Sequence, residues 1–177
     1  MLSVVPVVEG LETMRRAHGT MGFRRFTSEL LASRRRRFLT GEHEYMKHSS
    51  ERPADELCTW PFPGSPPLFQ MLKETQAPRY ENRNTVASAE MLLDYSVAPY
   101  VARLVDTPTL MVLADNDDFT QWDLEMAAFN AIPSPRKHAA VVPDTGHHDL
   151  YRDPEKLATA AAICRDFLVD HLGKEAS

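Results

Sequence analysis

The chain has 177 residues, 43% of them hydrophobic and 25% charged, with 7 Gly and 13 Pro, which is the composition of a folded globular domain and excludes a disordered segment. Twenty Lys and Arg against 25 Asp and Glu give a net charge of −5, which argues against a nucleic-acid binder whose affinity comes from neutralising phosphates. Cys58 and Cys164 lack Cys-x-x-Cys spacing, so a disulfide framework and a zinc ribbon are both excluded and the two thiols are read as reduced.

Residues 1–8 contain Pro6, run into Glu9-Gly10 and have no cation before them, which fits neither a signal peptide nor a membrane span. A cytoplasmic location and no membrane partner are the expectation. Within this stretch residues 3–8 (SVVPVV) are apolar and β-branched, as in a strand buried in a parallel sheet. Pro6 removes a ladder donor, so the strand belongs at an edge or beside a bulge.

Residues 11–75 show no convincing strand. Phe23, Phe26, Leu30 and Leu31 recur at helical spacing in a segment reaching Phe38, with Arg24, Arg25 and Arg34 to Arg37 opposite. An amphipathic helix with a solvated basic face is expected, an anionic partner or substrate carboxylate being the sharper alternative. Residues 1–41 carry eight Arg against three Glu, net +5, which leaves −10 for the remainder and suggests an internal electrostatic complement. Pro61, Pro63, Pro66 and Pro67 around Gly64 mark an irregular connection, and the whole span 11–83 reads as a helical lid or insertion.

From residue 84 the pattern is regular. Asn84 or Thr85 can cap a helix running to about Tyr95, with Val86, Ala89, Leu92 and Leu93 on one side. Residues 109–114 (TLMVLA) form an apolar strand that breaks into Asp115-Asn116-Asp117-Asp118. A helix over 123–132, with Leu124, Ala127, Ala128 and Ile132 inward, stops at Pro133. Residues 138–142 (HAAVV) make a third strand, ending in Pro143-Asp144-Thr145-Gly146-His147-His148. Asp153 as cap, Pro154 at the first helical position and an apolar stripe of Leu157, Ala160, Ala161, Cys164, Phe167 and Leu168 predict a final helix, with Gly173 as its stop. Strand, helix, strand, helix at these lengths is α/β architecture: a short parallel sheet of about three strands flanked by helices.

Open α/β sheets place their chemistry beyond the carboxyl ends of the strands, and these ends carry Asp117 and His147. An acidic turn after one strand and a Gly-His after the next suit an Asp-His pair, in which the carboxylate fixes the imidazole tautomer and frees the other nitrogen as a base. Gly146 is read as permitting the turn that presents the histidine. Asp115 and Asp118 compete for the acid and His148 for the base. Adjacent histidines on a turn, with no helical His-x-x-x-His spacing, do not suggest a metal site, and no cofactor is implied.

The stretch PTLMVLADNDDFTQWDLEMAAFNAIPSPRKHAAVVPDTGHHDLY resembles the carboxyl-terminal part of the α/β-hydrolase fold, specifically the dienelactone-hydrolase-like and YcjY-like serine hydrolases. The upstream APRYENRNTVASAEMLLDYSVAPYVARL is similar to the same group, and SVVPVVEG to the strand that follows its nucleophile. The resemblance implies a single partial domain over 1–177. Residues 1–10 would be its first strand, 11–83 the lid, and 84–177 the acid- and His-bearing units. It also assigns Asp117 as triad acid, His147 as base, His148 to packing, and Asp149 and Tyr151 to support of the loop.

The nucleophile elbow of that fold, Gly-x-Ser-x-Gly, is missing: the glycines stand at 10, 19, 22, 41, 64, 146 and 173, and no two are four apart. By the resemblance, the nucleophile and oxyanion-hole loop would precede residue 1. The expectation is the carboxyl-terminal part of a hydrolase acting on an ester, lactone or related carbonyl compound, with Phe23, Phe26, Trp60, Phe62 and Phe69 as candidate pocket lining. Its partners would be that small-molecule substrate and either an amino-terminal hydrolase half or a second copy joined through the open sheet edge. The alternative is a noncatalytic remnant of the fold acting as an interaction module. Acid-base chemistry by Asp117 and His147 without a nucleophile is a weaker third reading.

Overall fold

The computed structural model describes residues 1–173, so the last four residues of the expected span 84–177 lie outside the described residues. In chain order the elements are β1 (Leu2–Val4), α1 (Gly10–Thr40), β2 (Tyr45–Ser49), β3 (Cys58–Trp60), α2 (Ser65–Thr75), β4 (Asn84–Thr85), α3 (Val86–Leu93), α4 (Ala98–Val101), β5 (Thr109–Ala114), α5 (Trp122–Ala131), β6 (Lys137–Val142), α6 (Asp149–Arg152) and α7 (Pro154–Leu172). They group into two compact units, Met1–Glu9 with the chain from Ser96 onward, and Gly10–Tyr95. None of the described helices is long and apolar enough to cross a membrane.

The first unit is built on a parallel sheet of order β1-β5-β6. All six residues of β5 are buried, as the uninterrupted apolar run TLMVLA requires of a central strand. β1 is an edge strand, and it stops before Pro6: the chain turns at Val5, whose φ is 37° and whose N–H still donates to Val112 O. Leu110, Val112, Ala114, Val142, Leu150 and Ala160 form the core, with Ile163, Cys164 and Phe167 of α7 packed against it. The inward stripe of α7 is therefore narrower than the sequence suggests: Leu157 and Leu168 are exposed, because the helix has only a three-stranded sheet to cover. Asp153 caps α7 as expected, accepting from Glu155 N and Lys156 N.

The second unit departs from the expectation of helices alone. It contains a small sheet of order β3-β2-β4, in which β2 pairs parallel to β3 and antiparallel to β4. Asn82 fastens β2 with its side chain, accepting from Ser49 N and donating to Ser49 O. Met14, Phe26, Leu30, Met46, Val86 and Ala89 form the core of this unit, with Phe23 and Trp60 packed against it. Phe26, a candidate for pocket lining, is thus fully buried core. Gly19 (φ 63°, ψ 171°) kinks α1. Thr85 caps α3 by accepting from Ser88 N.

The arginine run finds acidic partners within its own unit. Arg34 and Arg37 converge on the buried Glu90, and Arg36 bridges Glu29 and Glu44. Burial raises the Glu90 carboxyl, but the two guanidinium groups outweigh it and hold it below the usual carboxylate range.

Candidate active site

Two loops leave the same end of the first unit's sheet, one after β5 and one after β6, and their backbones are laced together. Asn116 N donates to Thr145 O at 3.0 Å. Asp115 closes the join: its Oδ2 accepts from Asp144 N at 2.9 Å and its Oδ1 from Thr145 N at 2.8 Å. These two N–H groups hold the Asp115 carboxyl below its ordinary value. Asp115, a competitor for the triad acid, is engaged with backbone and not with an imidazole.

Asp117 Oδ2 lies 2.9 Å from His147 Nδ1. The other oxygen, Oδ1, accepts from Phe119 N at 2.8 Å and Thr120 N at 2.9 Å. The Asp117 side chain is 0% exposed and that of His147 14%. Burial pushes the Asp117 carboxyl up, yet the hydrogen bond and charge of His147 and the two N–H donors prevail, and the group sits below the usual carboxylate range. With an ionised acceptor at Nδ1, that nitrogen carries the proton, and Nε2 is left without a hydrogen-bond partner among the described residues.

Aromatic contacts fix the plane of the imidazole. Phe119 stacks on His147 with centroids 4.7 Å apart and planes 11° from parallel, and Tyr151 lies 5.5 Å away. His148 meets the edge of Phe119 at 4.5 Å, a packing position, and burial lowers its pKa. The sequence reading did not single out Phe119, although its place two residues after Asp117, in the same turn, was visible.

Asp149 supports the loop: its Oδ2 accepts from Gly146 N at 2.8 Å and its Oδ1 from the Arg152 guanidinium. The role of Gly146 differs from the expected one. Its φ is not positive, and the left-handed residue of this loop is Asp144 at 50°. What Gly146 supplies is room, since a Cβ there would stand 3.3 Å from Asp149 Oδ2. Among the described residues no group of three or more His, Cys, Asp or Glu is arranged to hold a metal ion.

No protein-family model matches the chain. It is 31% identical to a thiohydrolase of Eupenicillium brefeldianum over 74 residues, which is 42% of this chain and 24% of that one. The α/β hydrolase GrgF of Penicillium sp. sh18 superposes with a TM-score of 0.69 at 18% identity, covering 97% of this chain and 55% of that one. DcsB, solved in complex with its substrate analogue, gives a TM-score of 0.66 at 15% identity, covering 94% of this chain and 55% of its own. The fold is a partial α/β-hydrolase fold, and the chain spans about half the length of these solved structures.

Proposed function

We propose that this chain is the carboxyl-terminal part of a serine hydrolase of the dienelactone-hydrolase-like and YcjY-like group, supplying Asp117 and His147 to a nucleophile carried by residues outside it. The observation that carries the reading is the 2.9 Å contact between His147 Nδ1 and a fully buried Asp117 carboxylate, tied to the backbone through its other oxygen. Bound in that way the imidazole has a fixed tautomer, which is the state a general base needs.

The substrate class is an ester, lactone or related carbonyl compound. The serine oxygen attacks the carbonyl carbon while its proton passes to His147 Nε2. The imidazolium, stabilised by Asp117, returns that proton to the departing oxygen, and water repeats the cycle on the acyl-enzyme. The relative described as a thiohydrolase supports hydrolysis as the reaction type.

The test supplies the missing half. A segment with the order strand, Gly-x-Ser-x-Gly, helix is sought in the upstream reading frame, and hydrolysis of a p-nitrophenyl ester is measured for the full chain with and without it. The expected result is a gain on mixing that His147→Ala abolishes. Absence of such a segment, together with no gain on mixing, overturns the proposal in favour of a noncatalytic interaction module joined through the edge strand β1.

A further inference from the structure

Helix α5 ought to turn Leu124, Ala127 and Ala128 inward, yet the buried side chain on it is Glu125, with no exposed surface at all. A carboxyl group in that position needs a reason. Its Oε1 accepts from the Thr120 hydroxyl at 3.0 Å, and its Oε2 is buried with no hydrogen-bond partner among the described residues. Gln121, four residues earlier at the cap of the same helix, has φ 68° and a side-chain oxygen that is likewise buried and unpartnered. Among the described residues two acceptor oxygens at the start of one helix thus lack a donor, and protonation of Glu125 lowers the cost of burying its own.

Thr120 links this carboxyl to the pair described above. Its N–H is one of the two donors to Asp117 Oδ1, and its hydroxyl is the group Glu125 holds. The chain of contacts runs from Glu125 to the Thr120 hydroxyl, from the Thr120 N–H to Asp117, and from Asp117 to His147. We propose that Glu125, acting through Thr120, is a positioning residue for the Asp117–His147 pair, setting the angle and the electrostatic field in which the carboxylate meets the imidazole. The inference rests on the triad reading and adds to it a third buried carboxyl-side partner that the family resemblance did not assign.

The protonation state of Glu125 is what this link transmits. Burial pushes its carboxyl up to about 7, the Thr120 hydroxyl opposes that rise, and the charge of Asp117 adds to it. Other groups on the packed elements leave that balance alone. β5 carries no titratable side chain, and α4 carries only Tyr100, which is exposed beneath the Arg103 guanidinium. Lys137 of β6 is engaged at the other end of α5, on the carbonyls of Phe129, Asn130 and Ile132. Asp123, also in the first turn of α5, is exposed. Ionisation of Glu125 would therefore place a second buried negative charge beside Asp117 and change the field at His147.

The experiment follows the full chain by NMR, reading the Glu125 carboxyl 13C shift and the His147 ring 15N shifts from about pH 4 to pH 9. The Glu125 carboxyl is expected to titrate near 7, and an inflection at the same pH to show in the His147 ring 15N shifts. Glu125→Gln, which mimics the neutral acid at every pH, is expected to remove that inflection while keeping the tautomer. Thr120→Val, which cuts the link, is expected to remove it too. A Glu125 midpoint below about 5.5, or superimposable His147 curves in the wild type and Glu125→Gln, overturns the proposal. If Glu125→Gln does not fold, Thr120→Val decides: His147 15N curves in that variant superimposable on those of the wild type overturn the proposal. Asp117→Asn separates the two levels of inference. Unchanged His147 15N shifts in that variant defeat the triad reading itself, whereas a change there with none in Glu125→Gln defeats only the role of Glu125.

Discussion

Asp117 faces three donors and offers two acceptor oxygens: Phe119 N and Thr120 N bind Oδ1, and His147 Nδ1 binds Oδ2. Asparagine has one oxygen for the same three partners. In Asp117→Asn the amide NH2 must point either at two N–H groups or at Nδ1, and the second choice moves the imidazole proton to Nε2. In the reconstituted hydrolase kcat is then expected to fall by about 10⁴, as it does when another triad loses its tautomer. The 15N shifts of the His147 ring report the switch, and an Asp117→Asn protein with the wild-type tautomer contradicts it. Glu125 gives the opposite pH signature from Asp117. Its folded value of about 7 lies above the 4.5 of a free carboxyl, so the native state binds the extra proton between those pH values. Stability is full below about 4.5 and falls as pH rises through 7, whereas the contribution of Asp117, whose carboxyl is depressed, is present at neutral pH and lost as pH falls below its ordinary 3.8. Glu125→Gln is therefore expected to gain on the order of 2 kcal/mol over the wild type at pH 8 and nothing at pH 4.5, read from urea unfolding at both pH values. An equal difference at the two pH values refutes this.

The elements hold these residues through contacts with very different tolerance. Gly10 opens α1 where a Cβ would stand 1.7 Å from Leu92 O of α3, a backbone atom that cannot step aside. Gly10→Ala must push the two helices apart and loosen the core around Met14 and Ala89, at an expected cost of about 3 kcal/mol. Asp153→Ala removes a cap that satisfies two N–H groups of α7 and is expected to cost about 1 kcal/mol. Chemical denaturation of both variants tests the ordering, and a Gly10→Ala protein as stable as the wild type would show that the helices are not locked there. Legibility in the sequence follows the same division. β5, β6 and α7 were readable because each carries its own signal, an unbroken apolar run or a cap followed by Pro. β2 and β3 were not. Five and three residues long, with Lys47 and His48 in the middle of β2, they have no usable periodicity and depend on Asn82, which lies 33 residues from Ser49 in the chain. The turns bearing Asp117 and His147 were legible from composition, but the burial of Glu125 was not, since on periodicity alone a glutamate between Leu124 and Met126 belongs to a solvated face.

At the scale of the whole molecule the decisive feature is a strand edge that no described residue pairs with. β1 forms one side of the β1-β5-β6 sheet, and its ladder with β5 uses alternate residues: Leu110 N donates to Met1 O, and Val5 N to Val112 O. By the strict alternation of a parallel ladder, the polar backbone groups of Leu2 and Val4 point the other way, toward the open edge. The open N–H and C=O groups of such an edge are a template for another strand, and apart from its three-residue length nothing on Leu2–Val4, neither a charge nor a proline, blunts it. In the proposed hydrolase the strand that fits there belongs to the nucleophile-bearing half, so the gain in ester hydrolysis on mixing should depend on this edge as much as on His147. Val4→Pro removes the outward N–H of Val4 and leaves the donors facing β5 in place, because proline at an edge position costs only the hydrogen bond on its own side. The variant is expected to keep the thermal transition of the wild type to within about 3 °C, a change smaller than 1 kcal/mol for a chain of this length. It is also expected to keep the His147 ring 15N shifts that report the pair with Asp117. Mixed with the complementary half it should give no hydrolysis above background. A Val4→Pro chain that restores as much activity as the wild type would mean that the two halves do not meet along β1.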